Sequence, residues 1–319
     1  MITDDSILTP HAREFIGLWM DSATHITAHT SGSTGAPKEI RLDKNDMLAS
    51  ARATIDFFGL DSHSTLLLPL SPDYIAGKMQ IVRAIEAGCR LVVETPTSTP
   101  FRTYDGHCSL LPIVPSQLEG VIKSTTLSSA DNIIIGGAPL SPAQEKSVVD
   151  AHINAYATYG MTETCSHVAL RRIGERFYRG LPGFRFSTDT RGCLVIESST
   201  LSFGRLVTND MIRLTSEHSF EWLGRYDNVI NSGGIKIHPE EIERVMNALL
   251  PKGVTAYVTS RPSENWGREA VIVTDSREIT QEIIERLKTL LPPHHAPRDI
   301  IYLDKIPLTS SGKIIRQQL

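Results

Sequence analysis

Residues 29–40, HTSGSTGAPKEI, hold two glycines, two serines, two threonines and one lysine between an alternating stretch, THITAH, and a helix-like one, NDMLASARATIDFF. Gly32 and Gly35 lack a Cβ and tolerate positive φ, so a loop built on them brings backbone N–H groups close to an anion. Thr30, Ser31, Ser33 and Thr34 add hydroxyl donors, and Lys38 adds a mobile charge. Phosphate is the natural guest of such a loop, with a plain surface turn as the alternative. The Walker P-loop is excluded, because the chain reads Pro37-Lys38-Glu39 where that motif needs Gly-Lys-Ser/Thr.

Four further stretches carry chemistry. YGMTET (159–164) follows an alternating strand and offers Glu163, a carboxylate able to hold Mg²⁺ beside a triphosphate, and Thr162, a phosphate donor. VTND (207–210) ends in Asp210, which can accept bonds from ribose hydroxyls. GRYDNVINSGGIKIHPEEIE (224–243) combines Arg225, Asp227 and the pair Gly233-Gly234, and PLTSSGKIIR (307–316) presents Lys313 on a glycine-containing turn. Taken singly, each reads equally as a capping group or a solvated charge.

Elements must hold these groups. Short β-like runs recur at TLLLPL (65–70), RLVVET (90–95), NIIIGG (132–137) and CLVIES (193–198), with helical segments between the earlier ones. The all-apolar LLL and III runs suit strands buried on both faces, as parallel strands under helices are. Beyond residue 224, HPEEIERVMNALL sets Ile242, Val245, Met246, Leu249 and Leu250 at helical spacing, with Pro239 near its first position and two glutamates in the first turn. VTAYVTS, EAVIVTD, the amphipathic ITQEIIERLKTLL and DIIYLDKIPL complete a β-α-β-β-α-β order. The expected fold class is α/β, with a large N-terminal α/β domain over 1–224 and a small α+β C-terminal domain over 225–319.

Composition fits that plan. A chain of 319 residues accommodates about two domains, and 40% hydrophobic content can fill their cores. The 32 basic and 36 acidic residues leave a net charge of −4, which speaks against a nucleic-acid footprint and gives no membrane-surface signal. MITDDSILTPHAREFI has no apolar signal core, and no apolar run approaches the roughly 18 residues of a membrane span, so a cytoplasmic enzyme of small molecules is expected. Cys89, Cys108, Cys165 and Cys193 are scattered without a C-x-x-C pair and read as reduced, mostly buried thiols.

In this order the five stretches resemble the adenylate-forming superfamily of acyl-CoA synthetases, luciferases and non-ribosomal adenylation domains. Its motifs read T-S-G-S-T-G-x-P-K, Y-G-x-T-E, T-G-D, G-R-x-D and P-x-T-x-x-G-K, and the resemblance runs from residue 29 to the end. It implies that Thr30, Ser31, Ser33, Thr34, Gly35 and Lys38 hold the β- and γ-phosphates of ATP. By the same match Gly136, Gly137 and Ala138 of GGAPL and Tyr159 line the adenine site, Thr162 touches the α-phosphate, Glu163 binds Mg²⁺, and Asp210 and Arg225 hold the ribose. The implied reaction has two steps: a carboxylate attacks the α-phosphorus to give acyl-adenylate and pyrophosphate, and the thiol of CoA then displaces AMP. Lys313 is implied as the catalytic cation of the first step. The small domain is implied to be mobile, turning about Asp227 and bringing Gly233 and Gly234 to the pantetheine channel.

Within the superfamily, LPLSPDYIAGKMQIVRAIEAGCRLVV followed by LLPIVPSQLEGVI is most similar to the o-succinylbenzoate-CoA ligases of menaquinone synthesis. Such an acid carries a second carboxylate and a ketone. Arg83, inside the apolar MQIVRAI, either meets that carboxylate or snorkels from a helix. Ser166 and His167 either approach the acyl group or serve as caps, and Tyr74 in DYIAG occupies the position of the family's pocket gate. Glu39 and Asn209 depart from the motif glycines, and about thirty residues precede the phosphate loop, so the large domain is expected to be truncated relative to the family. Another aryl- or acyl-CoA ligase, a carrier-protein-loading adenylation domain, a non-catalytic nucleotide-binding relative and half of an enzyme completed by another chain stay open as alternatives.

Overall fold

Helix α1 (Pro10–Met20) begins where the Thr9 hydroxyl caps the Ala12 amide at 3.3 Å and Pro10 supplies a φ already suited to a first turn. Strands β1 (His25–His29) and β2 (Glu39–Asp43) pair antiparallel, from His25–Asp43 to His29–Glu39. Asp43 then caps helix α2 (Lys44–Phe58) by accepting from the Asn45 amide at 2.7 Å, and Gly59, at φ 63°, closes it. The structure is a computed structural model and describes residues 8–29, 39–100, 104–124, 129–251, 253–308, 314–317 and 319.

Strand β3 (Thr65–Leu68), helix α3 (Ile75–Ala87) and strand β4 (Arg90–Val93) make a β-α-β unit whose strands run parallel. The chain continues through β5 (Leu111–Ile113), α4 (Leu118–Ile122), β6 (Ile133–Ile135), α5 (Pro142–Asp150) and β7 (Ala155–Gly160). A capping box of Ser141 and Gln144 starts α5. β5, β6 and β7 are parallel neighbours, as apolar runs buried on both faces require.

After β7 the chain turns antiparallel, through β8 (His167–Arg172), β9 (Tyr178–Gly180), β10 (Phe184–Thr188), β11 (Cys193–Ser198), β12 (Arg205–Ser216) and β13 (Ser219–Arg225). The nine-stranded sheet has the order β10-β11-β12-β13-β9-β8-β7-β6-β5. The CLVI of CLVIES is as apolar as the III run and as deeply buried, yet it pairs antiparallel on both sides.

A separate five-stranded sheet begins at Ile230. Strands β14 (Ile230–Ser232) and β15 (Ile235–Ile237), helix α6 (Pro239–Asn247), strands β16 (Ala256–Ser263) and β17 (Gly267–Thr274), helix α7 (Gln281–Leu290) and strand β18 (Asp299–Tyr302) follow in turn. The sheet order is β15-β14-β17-β16, with β18 parallel to β17. Its helices cover a core of their own, built from Ile230, Ile237, Ile242, Met246, Val258, Ile272, Ile284 and Leu287. Helix α6 also lies on the end of β13: Asn228 Nδ2 donates to Glu240 Oε1 at 2.6 Å, and a Cβ on Gly224 would collide with the Glu240 carboxylate. The four cysteines are free and buried, and no helix among the described residues is long and apolar enough to cross a membrane.

Candidate active site

The carboxyl ends of β6 and β7 lie side by side, and the segments leaving them carry Gly136, Gly137 and Ala138 on one and Tyr159, Thr162 and Glu163 on the other. Carboxyl ends of parallel strands are where ligands of α/β sheets collect. Gly136 sits so close to β7 that a Cβ would stand 2.7 Å from Thr158 Oγ1, and Gly137 takes φ 86°. Beyond β7 the 3-10 turn Thr162–Thr164 is stitched by buried Thr164, whose hydroxyl accepts from the Met161 amide at 3.0 Å and donates to the Ser166 carbonyl at 2.7 Å. Gly160 makes this fold-back possible, because a Cβ there would collide with the Ser166 carbonyl oxygen and stand 2.6 Å from His167 Cα.

The fold-back leaves Glu163 exposed and unpaired among the described residues, Thr162 half-buried, and His167 buried. No three His, Cys, Asp or Glu side chains among the described residues cluster as a closed metal cage. One free carboxylate is the donor set that suits Mg²⁺, which keeps water and substrate phosphates as its other ligands.

Asp210 on β12 and Arg225 on β13 are register partners, with Arg225 Nε 3.7 Å from Asp210 Oδ1. The Tyr159 hydroxyl donates to Asp210 Oδ2 at 2.7 Å and the Trp222 indole to Oδ1 at 3.3 Å. Burial, and then the Asp210 charge, hold the Tyr159 phenol well above its usual range, so it stays a donor. The structure thus brings Tyr159, Asp210 and Arg225 together from three strands. Trp222 belongs to no motif, and nothing in the sequence singled it out.

Asn209, where the motif has glycine, is a bridge. Its Oδ1 accepts from Arg191 Nη1 at 2.9 Å, and its Nδ2 donates to Asp227 Oδ2 at 3.3 Å. Arg191 is held by Asp189 at 2.8 Å and lies over the Tyr226 ring, while Asp227 sits 3.6 Å from Arg225 Nη2.

Arg83 does not snorkel: it is 2% exposed, in the middle of α3. Its Nη2 donates to Ser166 Oγ at 2.6 Å and its Nη1 to Gln80 Oε1 at 3.4 Å, while its Nε is buried with no partner among the described residues. No carboxylate among the described residues pairs with it. Burial pushes the guanidinium down to about 9, which leaves it charged at neutral pH. Gln80 is itself fixed by donating to the Leu67 and Leu110 carbonyls at 3.2 and 3.1 Å.

His167 closes the cluster, with Nδ1 3.3 Å from Ser166 Oγ and Nε2 3.2 Å from Thr54 Oγ1 on α2. Burial, and then the Arg83 charge, depress its pKa well below 6.5, so the ring is neutral. Tyr74 stands apart: it is 53% exposed at the N-terminus of α3 and does not join this group. Sequence reasoning missed Ser50, Thr54 and Gln80. Ser50 and Thr54 were findable, because they share a helical stripe with the buried Met47 and Ala51.

Gly233 and Gly234 form the two-residue turn between β14 and β15 at φ 57° and 85°, the pair of values a type I′ hairpin needs. A Cβ on Gly233 would stand 2.6 Å from the Trp266 ring, whereas one on Gly234 would meet nothing within 4 Å. Positive φ favours glycine at both positions, and at Gly233 the Trp266 ring excludes a side chain as well. Thr30, Ser31, Ser33, Thr34, Gly35, Lys38 and Lys313 lie outside the described residues, bracketed by the His29–Glu39 pair and by the Leu308–Ile314 bridge.

A family model described as AMP-binding enzyme matches residues 22–195, and one described as AMP-binding enzyme C-terminal domain matches residues 241–313. A 2-succinylbenzoate–CoA ligase from Listeria monocytogenes is 28% identical over 335 aligned positions, covering 96% of this chain and 72% of that protein. The solved acyl-CoA synthetase (AMP-forming)/AMP-acid ligase II-like protein from Dyadobacter fermentans is 30% identical with a TM-score of 0.66, covering 98% of this chain and 94% of that one. The o-succinylbenzoate–CoA synthetase of Bacillus subtilis, solved with ATP and magnesium, superimposes with a TM-score of 0.78 at 20% identity, over 91% of this chain and 68% of that one. This last likeness is one of fold.

Proposed function

The chain belongs to the AMP-binding enzyme family and is by class an AMP-forming acyl-CoA ligase, and we propose that its acid is an aromatic dicarboxylate of the o-succinylbenzoate kind, as in menaquinone synthesis. Arg83 carries this reading. A guanidinium buried without a counter-ion costs several kcal/mol, and a ligand carboxylate would relieve that cost. Ser166 Oγ beside it, and the open Nε, give the site polar atoms that a simple benzoate would leave unused.

The chemistry then follows from the residues. An oxygen of the reacting carboxylate attacks the α-phosphorus of ATP, the Pα–O bond to the β-phosphate breaks, and pyrophosphate leaves. Lys313 would offset the charge that gathers between carboxylate and α-phosphate, and Thr162 would donate to an α-phosphate oxygen. Asp210 would accept from ribose hydroxyls with Arg225 beside it, while Gly136, Gly137 and Ala138 leave room for adenine beside Tyr159. Thr30, Ser31, Ser33, Thr34, Gly35 and Lys38 would cradle the terminal phosphates. Glu163 would hold Mg²⁺, which supplies positive charge against the triphosphate. In the second step the sulfur of CoA attacks the acyl carbon and the bond to AMP breaks, with residues 225–319 turned about Asp227 and the Gly233–Gly234 hairpin facing the thiol.

The test is Arg83→Ala assayed on o-succinylbenzoate and on benzoate. Loss of one charge-assisted hydrogen bond, about 1.5 to 3 kcal/mol, predicts a ten- to hundredfold drop in kcat/KM for the dicarboxylate alone. An equal loss for both acids would make Arg83 structural.

A further inference from the structure

Helix α2 supplies no motif, yet Thr54, fully buried on it, touches the ring nitrogen of His167 that faces away from Ser166. The donors of this cluster can be counted. The guanidinium of Arg83 can only donate, so Ser166 Oγ accepts from it at 2.6 Å. The Thr54 hydroxyl lies 3.2 Å from the Ser50 carbonyl, a group that can only accept. Its single proton therefore goes there, and its oxygen is left to accept from His167 Nε2–H. With Nε2 protonated and the ring neutral, Nδ1 is a bare acceptor, which takes the Ser166 proton at 3.3 Å.

The four bonds then run in one direction: Arg83 Nη2 to Ser166, Ser166 to His167, His167 to Thr54, and Thr54 to the α2 backbone. The opposite tautomer makes Thr54 donate to Nε2 and abandon the Ser50 carbonyl. It also leaves the Ser166 proton with no acceptor among the described residues.

We propose that Thr54 is a positioning residue for the acid pocket: by fixing His167 as the Nε2–H tautomer it fixes the direction of the Ser166 hydroxyl, and so the lone pair on which Arg83 is aimed. Second partners of this kind commonly set the tautomer of a functional imidazole. The consequence for substrate choice rests on the aromatic dicarboxylate reading above, whereas the tautomer does not.

Two readouts separate them. In ¹⁵N-histidine NMR of the full chain, with His167 assigned by its loss in His167→Gln, the wild type should show Nε2 protonated and Nδ1 bare. Thr54→Val keeps the shape and removes the acceptor, and should move His167 toward the Nδ1–H form. It should also lower kcat/KM for o-succinylbenzoate about tenfold, the worth of one misdirected hydrogen bond, through KM with kcat held. Benzoate use should be unchanged, and Thr54→Ser should restore both signals. An Nδ1–H ring in the wild type would overturn the proposal without any variant, as would a Thr54→Val protein with the wild-type tautomer or with equal loss on both acids. A wild type that ignores o-succinylbenzoate would remove the substrate reading, while the tautomer would still decide for or against the relay.

Discussion

At the scale of single residues, the buried groups carry the clearest consequences. The folded state disfavours protonation of His167, so below the ordinary value of 6.5 the unfolded chain binds a proton that the native chain rejects. Stability is therefore full above that value and falls as pH drops toward the depressed native one. Urea unfolding between about pH 5 and 7.5 should show this slope in the wild type and a flatter one in His167→Gln; identical slopes would mean that the ring is hydrated. Glu163 makes the opposite kind of case, being exposed and free of partners among the described residues. Glu163→Gln should leave the melting temperature within a degree or two, because surface changes cost little, and should collapse magnesium-dependent turnover. An unchanged magnesium titration would assign the metal to another carboxylate.

At the scale of elements, glycines mark where the chain comes closest to itself. Gly160→Ala would push a Cβ into the Ser166 carbonyl, so either the turn that presents Glu163 or the cluster around Arg83 must shift. A destabilisation of about 1 to 3 kcal/mol is expected, visible as a lowered melting temperature; a melt equal to wild type would show that the fold-back is looser than described. Much of this level was legible in the sequence. The LLL and III runs became parallel buried strands, and HPEEIERVMNALL became the amphipathic α6. CLVIES shows the limit, since an apolar run looks alike in a parallel and an antiparallel sheet, and only its neighbours decide. The candidate site residues could be picked out because the spacing within each motif is local. Trp222 and Gln80 could not be picked out, because what matters about each is a contact with a residue at least 12 positions away, and Thr54 could be placed on the buried stripe of α2 but not against His167. The Asn209 bridge to Arg191 and Asp227 was visible only as a departure from a motif.

At the scale of the whole molecule, the nine-stranded and five-stranded sheets have separate cores, with helix α6 resting on the end of β13 through Glu240, and the proposed division of labour sets the large domain against residues 225–319. If the small domain presents Lys313 in one step and the Gly233–Gly234 hairpin in the other, Lys313→Ala should abolish adenylate formation and leave thioester formation from supplied acyl-adenylate largely intact. Equal loss of both half-reactions in a folded protein would remove the reason to separate them. The most direct test of the central claim is acid-dependent release of pyrophosphate from Mg²⁺·ATP by the purified chain, followed by addition of CoA. The account predicts release with o-succinylbenzoate well above that with benzoate, and conversion of the adenylate to a CoA thioester with stoichiometric AMP. Equal release with the two acids, or an adenylate that CoA does not discharge, would contradict it.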